Sequence, residues 1–347
     1  MSVEKVEIGN ATLYHCDCRD VLPTLDPVDC VIADPPYFKV KDDYWDNEWD
    51  NPRAFLAWMR DIVGLLAAAM RPSASLYLFA SPQMAGRVEA AIWDRLNVLT
   101  HAVWRKGAYG LKASTRANRS EKEALRAYFS TTERVIFAEH YNSDNFARGE
   151  SNYVQKCDEL RGFVFEPLRA YLAAEFAALG WNPEKLNEIC GTASMAGRHY
   201  IARSQWCLPT ESHYARLQAA ANVHLRREYE DLRRPFALDA SSQWSDIWDF
   251  EPVASYAGKH SCEKPQALLL HMLHASTRPG SLVLDPFLGS GATAIACNTM
   301  GLRFVGIERD AGHFAAACRR IEDAQRQASL FPEAAKAKAS EQMALIV

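Results

Sequence analysis

The sequence predicts a doubly wound, mostly parallel α/β sheet of the Rossmann type, interrupted by an inserted and mostly helical module. Short β-branched and aromatic runs alternate with helical segments, which is typical of such a sheet. Most of these runs are apolar throughout, as expected for strands covered by helices on both faces. Sheet-type sequence stops near residue 140 and resumes near residue 246, so both ends of the chain are expected to build one core.

Six runs have the composition of strands: CVIAD (30–34), SLYLFAS (75–81), THAVW (100–104), RVIFAEH (134–140), SLVLD (281–285) and RFVGIE (303–308). The clearest helix begins after Asn51, a good N-cap, with Pro52 at its first position. It is expected to continue until Pro72 prevents further helix. The order strand, helix, strand indicates parallel neighbours.

These patterns divide the chain into four predicted segments. They are a first half of the core (1–140) with a mobile basic loop (105–126), a helical insertion (141–245), a second half of the core (246–324) and a disordered tail (325–347). At 347 residues the chain has room for a core and an insertion of this size.

Composition narrows the class of protein. The formal net charge of -4 argues against a protein that coats nucleic acid by bulk charge, yet the segment from Arg95 to Arg134 carries nine Lys or Arg against three Glu. The nine cysteines lack zinc-site spacing and indicate reduced thiols. Neither a signal peptide nor a membrane span is predicted, so a soluble cytoplasmic protein is expected.

Residues 281–310 have the pattern of a strand, a glycine loop, a helix and a second strand. Gly289, Gly291 and Ala294 match the spacing G-x-G-x-x-A, and Glu308 follows where an acid that binds a ribose is expected. Asp285 ends the first strand, where a carboxylate would repel a pyrophosphate and attract a cation. A nucleoside that carries an ammonium group fits better, and S-adenosylmethionine has this set of groups.

The stretch VDCVIADPPYF (28–38) places an acid, a stiff turn and a ring after a strand. Pro35 and Pro36 fix the backbone and leave its carbonyls free. An aromatic exocyclic amine could donate hydrogen bonds to Asp34 and to the Pro35 carbonyl while its ring stacks on Tyr37. The stretch therefore predicts a site for such an amine.

DPPY at 34–37 and DPFLGSGAT at 285–293 resemble the catalytic and cofactor motifs of the DNA amino-methyltransferases, in the order of the beta class. The resemblance implies an S-adenosylmethionine-dependent enzyme that acts on double-stranded DNA. HCDCRDVL (15–22) resembles the segment whose acid reads the cofactor adenine, and KHSCEKPQALLLHML (259–273) the helix over its methionine end. The cofactor-binding residues implied are Asp17, Lys264, Pro265, Asp285, Phe287, Gly289, Gly291, Thr293 and Glu308. The family often has His-Pro-Thr before its Lys-Pro step, whereas this chain has His260 to Glu263 there, so the cofactor lid is expected to differ.

The resemblance also implies that the target base is flipped out of the duplex. The catalytic residues implied are Asp34, Pro35, Pro36 and Tyr37, with Tyr37 or Phe38 stacking on the base; no metal and no covalent cysteine are required. Asp at the first motif position favours adenine. Three alternatives stay open: a cytosine-N4 methyltransferase, a DNA-binding regulator that has lost the chemistry, and a methyltransferase for RNA or for a protein glutamine.

Two segments are candidates for contacts to DNA. Residues 182–218 have the pattern of a helix-turn-helix, and its Arg198, His199, Arg203 and Gln205 are candidates for reading bases. The basic segment is the candidate for phosphate contacts, through Arg105, Lys106, Lys112, Arg116 and Arg119. Surface helices and a solvated loop without a partner are the structural alternatives.

Two further partners are predicted. Members of the beta class often dimerise, so a homodimer is expected, which suits a palindromic site. Gln327 to Phe331 (QASLF) resemble the peptide by which bacterial proteins bind the replication sliding clamp. A chance match is the alternative for that peptide.

Overall fold

The computed structural model describes residues 3–40, 42–107, 131–141, 166–202, 206–232, 244–256, 262–278 and 280–330. The chain forms two compact units, one of Met1–His140 with Leu238–Val347 and the other of Tyr141–Ala237. The insertion therefore begins where predicted but ends at Ala237 rather than at residue 245. Ile247–Asp249, just after the predicted boundary, forms a strand that pairs with the sheet of the first unit.

The described residues of the first unit contain a nine-stranded sheet. Its strands are β1 Glu4–Ile8, β2 Ala11–His15, β3 Val28–Ala33, β4 Met70–Ala80, β5 Asn97–Arg105, β6 Thr132–Glu139, β7 Ile247–Asp249, β8 Leu282–Asp285 and β9 Arg303–Glu308. Their order across the sheet is β1-β2-β9-β8-β3-β4-β6-β5-β7. All six predicted strands are present, and the prediction of one core built from both chain ends is confirmed.

The sheet is mostly parallel, as predicted. Among the described strand pairs, five are parallel and three are antiparallel: β1 with β2, β4 with β6 and β5 with β6. Because β6 runs against β4, its first residues lie at the edge where β3, β4 and β8 end. That edge is where parallel sheets bind their ligands.

The helices of the first unit are α1 Cys18–Val21, α2 Pro52–Ala69, α3 Ala85–Ile92, α9 Gln266–Ser276, α10 Ala292–Thr299 and α11 Ala311–Leu330. Helix α2 begins as predicted, with the Asn51 side chain accepting from the N–H groups of Arg53 and Ala54. It ends at Ala69, before Met70, and Pro72 lies in β4. The register of β4 against β3 is irregular there, so the missing N–H of Pro72 interrupts no regular ladder.

The glycine loop has the predicted strand-loop-helix-strand form. Gly289 and Gly291 have positive φ angles of 48° and 74°, which favour glycine. A Cβ at Gly291 would lie 3.2 Å from Ile321 of α11, so the loop also packs closely on this helix. Gly301 ends α10 with a φ of 66° before β9 begins.

The second unit is helical where it is described, with α4 Glu166–Ala178, α5 Pro183–Cys190, α6 Met195–His199, α7 Glu211–Ala221 and α8 Tyr229–Leu232. Helices α5 and α6 with the turn at Gly191 (φ 70°) form the predicted helix pair. A Cβ at Gly197 would lie 2.4 Å from the Pro183 carbonyl oxygen, so only glycine permits this approach. Tyr200 follows the second helix of this pair and is buried, with its hydroxyl 2.6 Å from His213 Nδ1.

The tail prediction is wrong over its first residues. Helix α11 continues to Leu330, so residues 325–330 are helical, and Gln325 donates to the Ile8 carbonyl at 2.8 Å. Of the peptide that resembles a clamp-binding motif, Gln327 to Leu330 lie in this helix, and Phe331 lies outside the described residues. Within the part of the chain that the structure describes, no helix is both long and apolar enough to cross a bilayer.

Candidate active site

A cavity of about 370 Å³ lies at the carboxyl edge of the sheet in the first unit. The predicted site residues that line it are Asp17, Asp34, Pro35, Pro36, Tyr37, Lys106, Lys264, Asp285, Phe287, Gly289, Thr293 and Glu308. The catalytic motif after β3 and the cofactor motif after β8 meet there because these strands are parallel neighbours. The sequence separates the two motifs by about 250 residues, and the sheet brings them together.

Asp34 follows β3 and is bound by a cation and by a hydroxyl. Its Oδ2 accepts from Lys264 Nζ at 2.5 Å, and its Oδ1 lies 2.8 Å from the Tyr37 hydroxyl. Burial raises the pKa of the Asp34 carboxyl, and the Lys264 ammonium opposes that shift. Burial alone would lower the pKa of Lys264, but Asp34 and Glu133 beside it raise the pKa above its usual range. Lys264 is therefore a protonated partner of Asp34.

Glu133 is a second carboxylate beside the motif. It lies at the start of β6, its Oε2 is 2.8 Å from the Tyr37 hydroxyl and 3.6 Å from Lys264 Nζ, and its Oε1 accepts from Lys106 Nζ. Burial would raise the pKa of Glu133, but the Lys264 and Lys106 ammonium groups lower it to about 2. Burial raises the pKa of the Tyr37 hydroxyl, which stays neutral. Glu133 is thus ionised at neutral pH.

The turn after Pro36 is folded around the carboxylate of Asp46. Asp46 is fully buried and accepts from the N–H groups of Tyr37 and Val40, each at 2.6 Å. Between these two residues, Phe38 and Lys39 have positive φ angles of 65° and 59°, a strained region for residues with a Cβ. The Asp46 hydrogen bonds therefore hold a backbone conformation that fixes where Tyr37 lies.

Asp285 ends β8 and has a different environment. It is 4% exposed, and its carboxylate accepts from the Thr293 hydroxyl at 2.6 Å and from the Phe287 N–H at 3.0 Å. Both donors are neutral, and burial raises the pKa of the Asp285 carboxyl to about 7. A buried carboxylate without a cation is costly, so this site favours a ligand that supplies one.

The other two acids predicted to bind the cofactor are held by local hydrogen bonds. Glu308 accepts from the N–H groups of Gly289 and Asp310, each at 2.9 Å, and so ties the end of β9 to the glycine loop. Asp17 caps α1 and is bound by Arg19, whose guanidinium lowers the pKa of the carboxyl. Both side chains line the cavity on the side of β9.

Some predicted site residues lie elsewhere. Phe38, expected to face the base, packs against Phe55 with ring centroids 5.5 Å apart and does not line the cavity. The left-handed turn at Phe38 directs its ring toward the core. Gly291 and Pro265 are also outside the lining, where they begin α10 and α9. Lys264, expected over the methionine end of the cofactor, does line the cavity and contacts Asp34 there.

The structure describes only some of the candidate DNA contacts. Arg105 is bound through two nitrogens by Asp249, and Lys106 contacts Glu133, so both cations already have acidic partners. Arg198 is exposed on α6 in the second unit, and His199 is half-buried at the end of that helix. Lys112, Arg116, Arg119, Arg203 and Gln205 lie outside the described residues.

Sequence reasoning missed Glu133 and Asp46. Glu133 is the second residue of a strand whose antiparallel direction is visible only in the sheet, so no sequence pattern places it at the carboxyl edge. Asp46 lies in the acidic run KDDYWDNEWDNP, and nothing in that run distinguishes the one buried acid from its neighbours. Its position nine residues after Tyr37 is the only feature of the sequence that could have indicated that it binds the Tyr37 N–H.

Comparison with known proteins agrees with this geometry. The family model for DNA methylase (N6_N4_Mtase) matches residues 28–319, a span that includes both motifs. The chain belongs to this DNA methylase family. The family uses S-adenosylmethionine, so this is the cofactor whose fit to the cavity beside Asp285 has to be tested.

Curated relatives match a shorter part of the DNA methylase chain. The type II methyltransferase M2.DpnII of Streptococcus pneumoniae is 35% identical over 109 residues, and M2.LlaDCHI of Lactococcus lactis subsp. cremoris is 30% identical over 108 residues. Each match covers 30% of this chain and spans 41% and 40%, respectively, of the length of those relatives. The solved PvuII DNA methyltransferase (cytosine-N4-specific) superimposes with a TM-score of 0.52 at 11% identity, covering 92% of both chains, and so supports the fold.

Proposed function

We propose that this DNA methylase transfers a methyl group from S-adenosylmethionine to the exocyclic amine of an adenine that is flipped out of double-stranded DNA. The observation that carries the proposal is that one cavity contains Asp34 with Tyr37 and, beside them, Asp285 with Glu308. The first pair suits a planar amine, and the second suits a nucleoside with an ammonium group.

The residues present fit the cofactor. Asp285 is a buried carboxylate whose protein partners are neutral, and it would bind the ammonium group. The carboxylates of Glu308 and Asp17 would bind the ribose hydroxyls and the adenine. When bound, S-adenosylmethionine supplies an electrophilic methyl group on a sulfonium.

Asp34 would accept a hydrogen bond from the target amine, as would the Pro35 carbonyl. The nitrogen lone pair of such an amine is delocalised into the ring, and two acceptors on a rigid turn hold the nitrogen in one orientation, which accelerates the reaction by positioning. The nitrogen forms one bond to the methyl carbon as the bond from that carbon to sulfur breaks and leaves a neutral thioether. The nitrogen also loses one proton, for which the Asp34 carboxylate is the proposed acceptor. Tyr37 would stack on the base through its ring face.

The preference for adenine over cytosine rests on aspartate at the first motif position, and a cytosine-N4 methyltransferase is the second candidate. The fold does not separate the two, since the matched family model covers both kinds of amine. The acceptors on Asp34 and Pro35 fit either base, so the product has to be identified directly.

The test is single-molecule sequencing of unmethylated DNA after incubation with the protein and S-adenosylmethionine. We expect methyl-adenine in a fixed sequence context and no product with the Asp34→Asn variant. Methyl-cytosine would establish the second candidate. Modification of RNA or protein instead of DNA, or of no substrate, would contradict the proposal and favour another acceptor or a regulator.

The finer features remain predictions within this proposal. Recognition of DNA by α5 and α6, phosphate contacts from the basic segment, base flipping, a homodimer and a cytoplasmic location all follow from the resemblance. Binding of the sliding clamp through Gln327 to Phe331 is likewise a prediction from resemblance, and Gln327 to Leu330 of that peptide lie in α11. Light scattering at micromolar protein would test the homodimer.

A further inference from the structure

We propose that Glu133 is a positioning residue of the methyl-transfer site, which holds the Tyr37 hydroxyl and the Lys264 ammonium against Asp34 and so fixes the carboxylate that accepts the target amine. This inference rests on the proposed function, but it concerns residues of this chain alone. Its structural part is testable without turnover.

Glu133 lies within reach of the groups that hold Asp34. Glu133 contacts both partners of Asp34: Tyr37 at 2.8 Å and Lys264 at 3.6 Å. The Lys264 ammonium also lies over the rings of Phe79 and Tyr37, at 4.8 and 5.4 Å from their centroids. The Lys264 side chain is 8% exposed, so it cannot exchange its partners for water. Without Glu133, Asp34 would be its only carboxylate partner in the described site.

The Tyr37 hydroxyl has two carboxylate neighbours but only one proton to share between them. The Tyr37 hydroxyl lies 2.8 Å from Asp34 and 2.8 Å from Glu133, but it has one proton to donate. Without Glu133, Asp34 Oδ1 would be the only acceptor left to that proton among the described hydrogen bonds of the Tyr37 hydroxyl. A Tyr37 proton directed to Glu133 leaves Asp34 Oδ1 available to the incoming amine.

The positive and negative charges around Asp34 are equal in number. Asp34, Glu133, Lys264 and Lys106 form one connected group of two carboxylates and two ammonium groups. A buried group of this kind is stable only when each charge is paired. Lys106 closes the group from the end of β5, which explains why a basic residue predicted to contact phosphate lines the cavity instead.

The test compares Glu133→Gln, Glu133→Asp and Glu139→Gln in single-turnover methylation and in calorimetric binding of S-adenosylmethionine. Glu139 is the matched control, since it is a buried glutamate at the other end of β6, about 20 Å away along the strand. We expect Glu133→Gln to lower the single-turnover rate about 10- to 100-fold with little change in cofactor affinity, because positioning is lost. Glu139→Gln should keep the wild-type rate.

The pH profile separates positioning from general damage to the fold. The groups that face Asp34 are Tyr37, Lys264, Glu133 and Asp285. Glu133 raises the pKa of Asp34 and Lys264 lowers it, so Glu133→Gln should move the acid limb of the rate to lower pH and Lys264→Met should move it to higher pH. Glu133→Asp keeps the charge and should leave the limb in place while slowing the rate.

Three results would overturn the proposal: a Glu133→Gln rate equal to wild type, a loss of cofactor affinity as large as the loss of rate, or an acid limb that does not move. A wild type that methylates no nucleic acid contradicts the proposed function instead. In that case crystal structures of the wild type and Glu133→Gln decide the positioning role. We expect Lys264 or Tyr37 to shift by about 1 Å or more relative to Asp34, and unchanged positions would overturn it.

Discussion

Asp34 and Asp285 follow adjacent parallel strands and line the same cavity, but their carboxylates have different partners. Asp34 contacts the ammonium of Lys264 at 2.5 Å, whereas Asp285 accepts from a hydroxyl and from a backbone N–H. The protein supplies the cation at one aspartate and leaves the other to a ligand. This difference supports the proposal that Asp34 acts on the target amine and that Asp285 binds the cofactor, although both follow the same kind of strand.

The largest expected effect is that of Asp34→Asn on methyl transfer. The variant keeps the shape but removes the charge that accepts the amine, so we expect the single-turnover rate to fall by about 10³-fold or more. Cofactor affinity measured by calorimetry should change little. If Asp34→Asn methylates DNA normally, or if it weakens cofactor binding as strongly as it slows transfer, the division between the two aspartates is wrong.

Asp285→Asn should have the complementary effect. Loss of a charge-assisted hydrogen bond to the cofactor should weaken its binding about 10- to 100-fold, from the roughly 1.5 to 3 kcal/mol that such a bond contributes. With cofactor at saturation, the rate should be closer to wild type than that of Asp34→Asn. Asp26→Asn, an exposed site before β3, is the control and should bind the cofactor normally. If Asp285→Asn binds the cofactor with unchanged affinity, then Asp285 does not bind the ammonium group of the cofactor.

Binding of the cofactor should release a proton on the acid side of neutrality. The unliganded Asp285 carboxyl has a pKa of about 7 and must ionise to pair with an ammonium group. Affinity should therefore fall by up to tenfold for each pH unit below about 7 and level off above it. Calorimetry at about pH 6 in two buffers of different ionisation enthalpy measures this proton directly. Asp285→Asn should show no such release; a wild type that releases none would contradict the raised pKa.

The last expected effect is on the stability of the unliganded protein. The folded pKa of Asp285 is above its unfolded value, so the native state holds a proton that the unfolded chain has lost, and this contribution to stability is lost as pH rises toward about 7. The Asp285→Asn variant has no carboxyl group at this position and therefore does not lose stability in this way as the pH rises. Relative to wild type, its free energy of unfolding should rise by up to about 1.4 kcal/mol for each pH unit between about 4 and 7.

Urea denaturation at about pH 5 and about pH 8 measures that difference. A constant difference between the variant and the wild type at both pH values would show that the Asp285 carboxyl is solvated in the unliganded protein. It would also remove the contrast with Asp34.

Those parts of the fold and site that depend on local patterns were predictable. The six strands, the start of α2 and the glycine loop follow from composition, capping and spacing within short windows. The two aspartates follow from the rule that parallel strands present functional groups at their carboxyl ends. Their different partners did not follow, because Lys264 reaches Asp34 from a sequence distance of 230 residues.

The remaining differences have physical causes outside the short windows in which sequence patterns are read. The tail is helical to Leu330 because α11 packs on the glycine loop and bonds to the first hairpin. Phe38 turns to the core because of the backbone conformation that Asp46 holds. Each of these depends on a partner that no local window contains.

The Asp46 hydrogen bonds also determine whether the catalytic motif could function if it were transferred to another protein. Four residues, Asp34 to Tyr37, carry the recognisable motif, but the N–H of its tyrosine is fixed by a carboxylate nine positions later. The working module is therefore the whole stretch from Asp34 to Asp46, closed by the Lys39 N–H on the Asp46 carbonyl. If these four residues were grafted onto another sheet, their functional groups would be transferred without the Asp46 carboxylate that orients them. An insertion between Val40 and Asp46 should likewise abolish the function of the motif, although its four residues are intact.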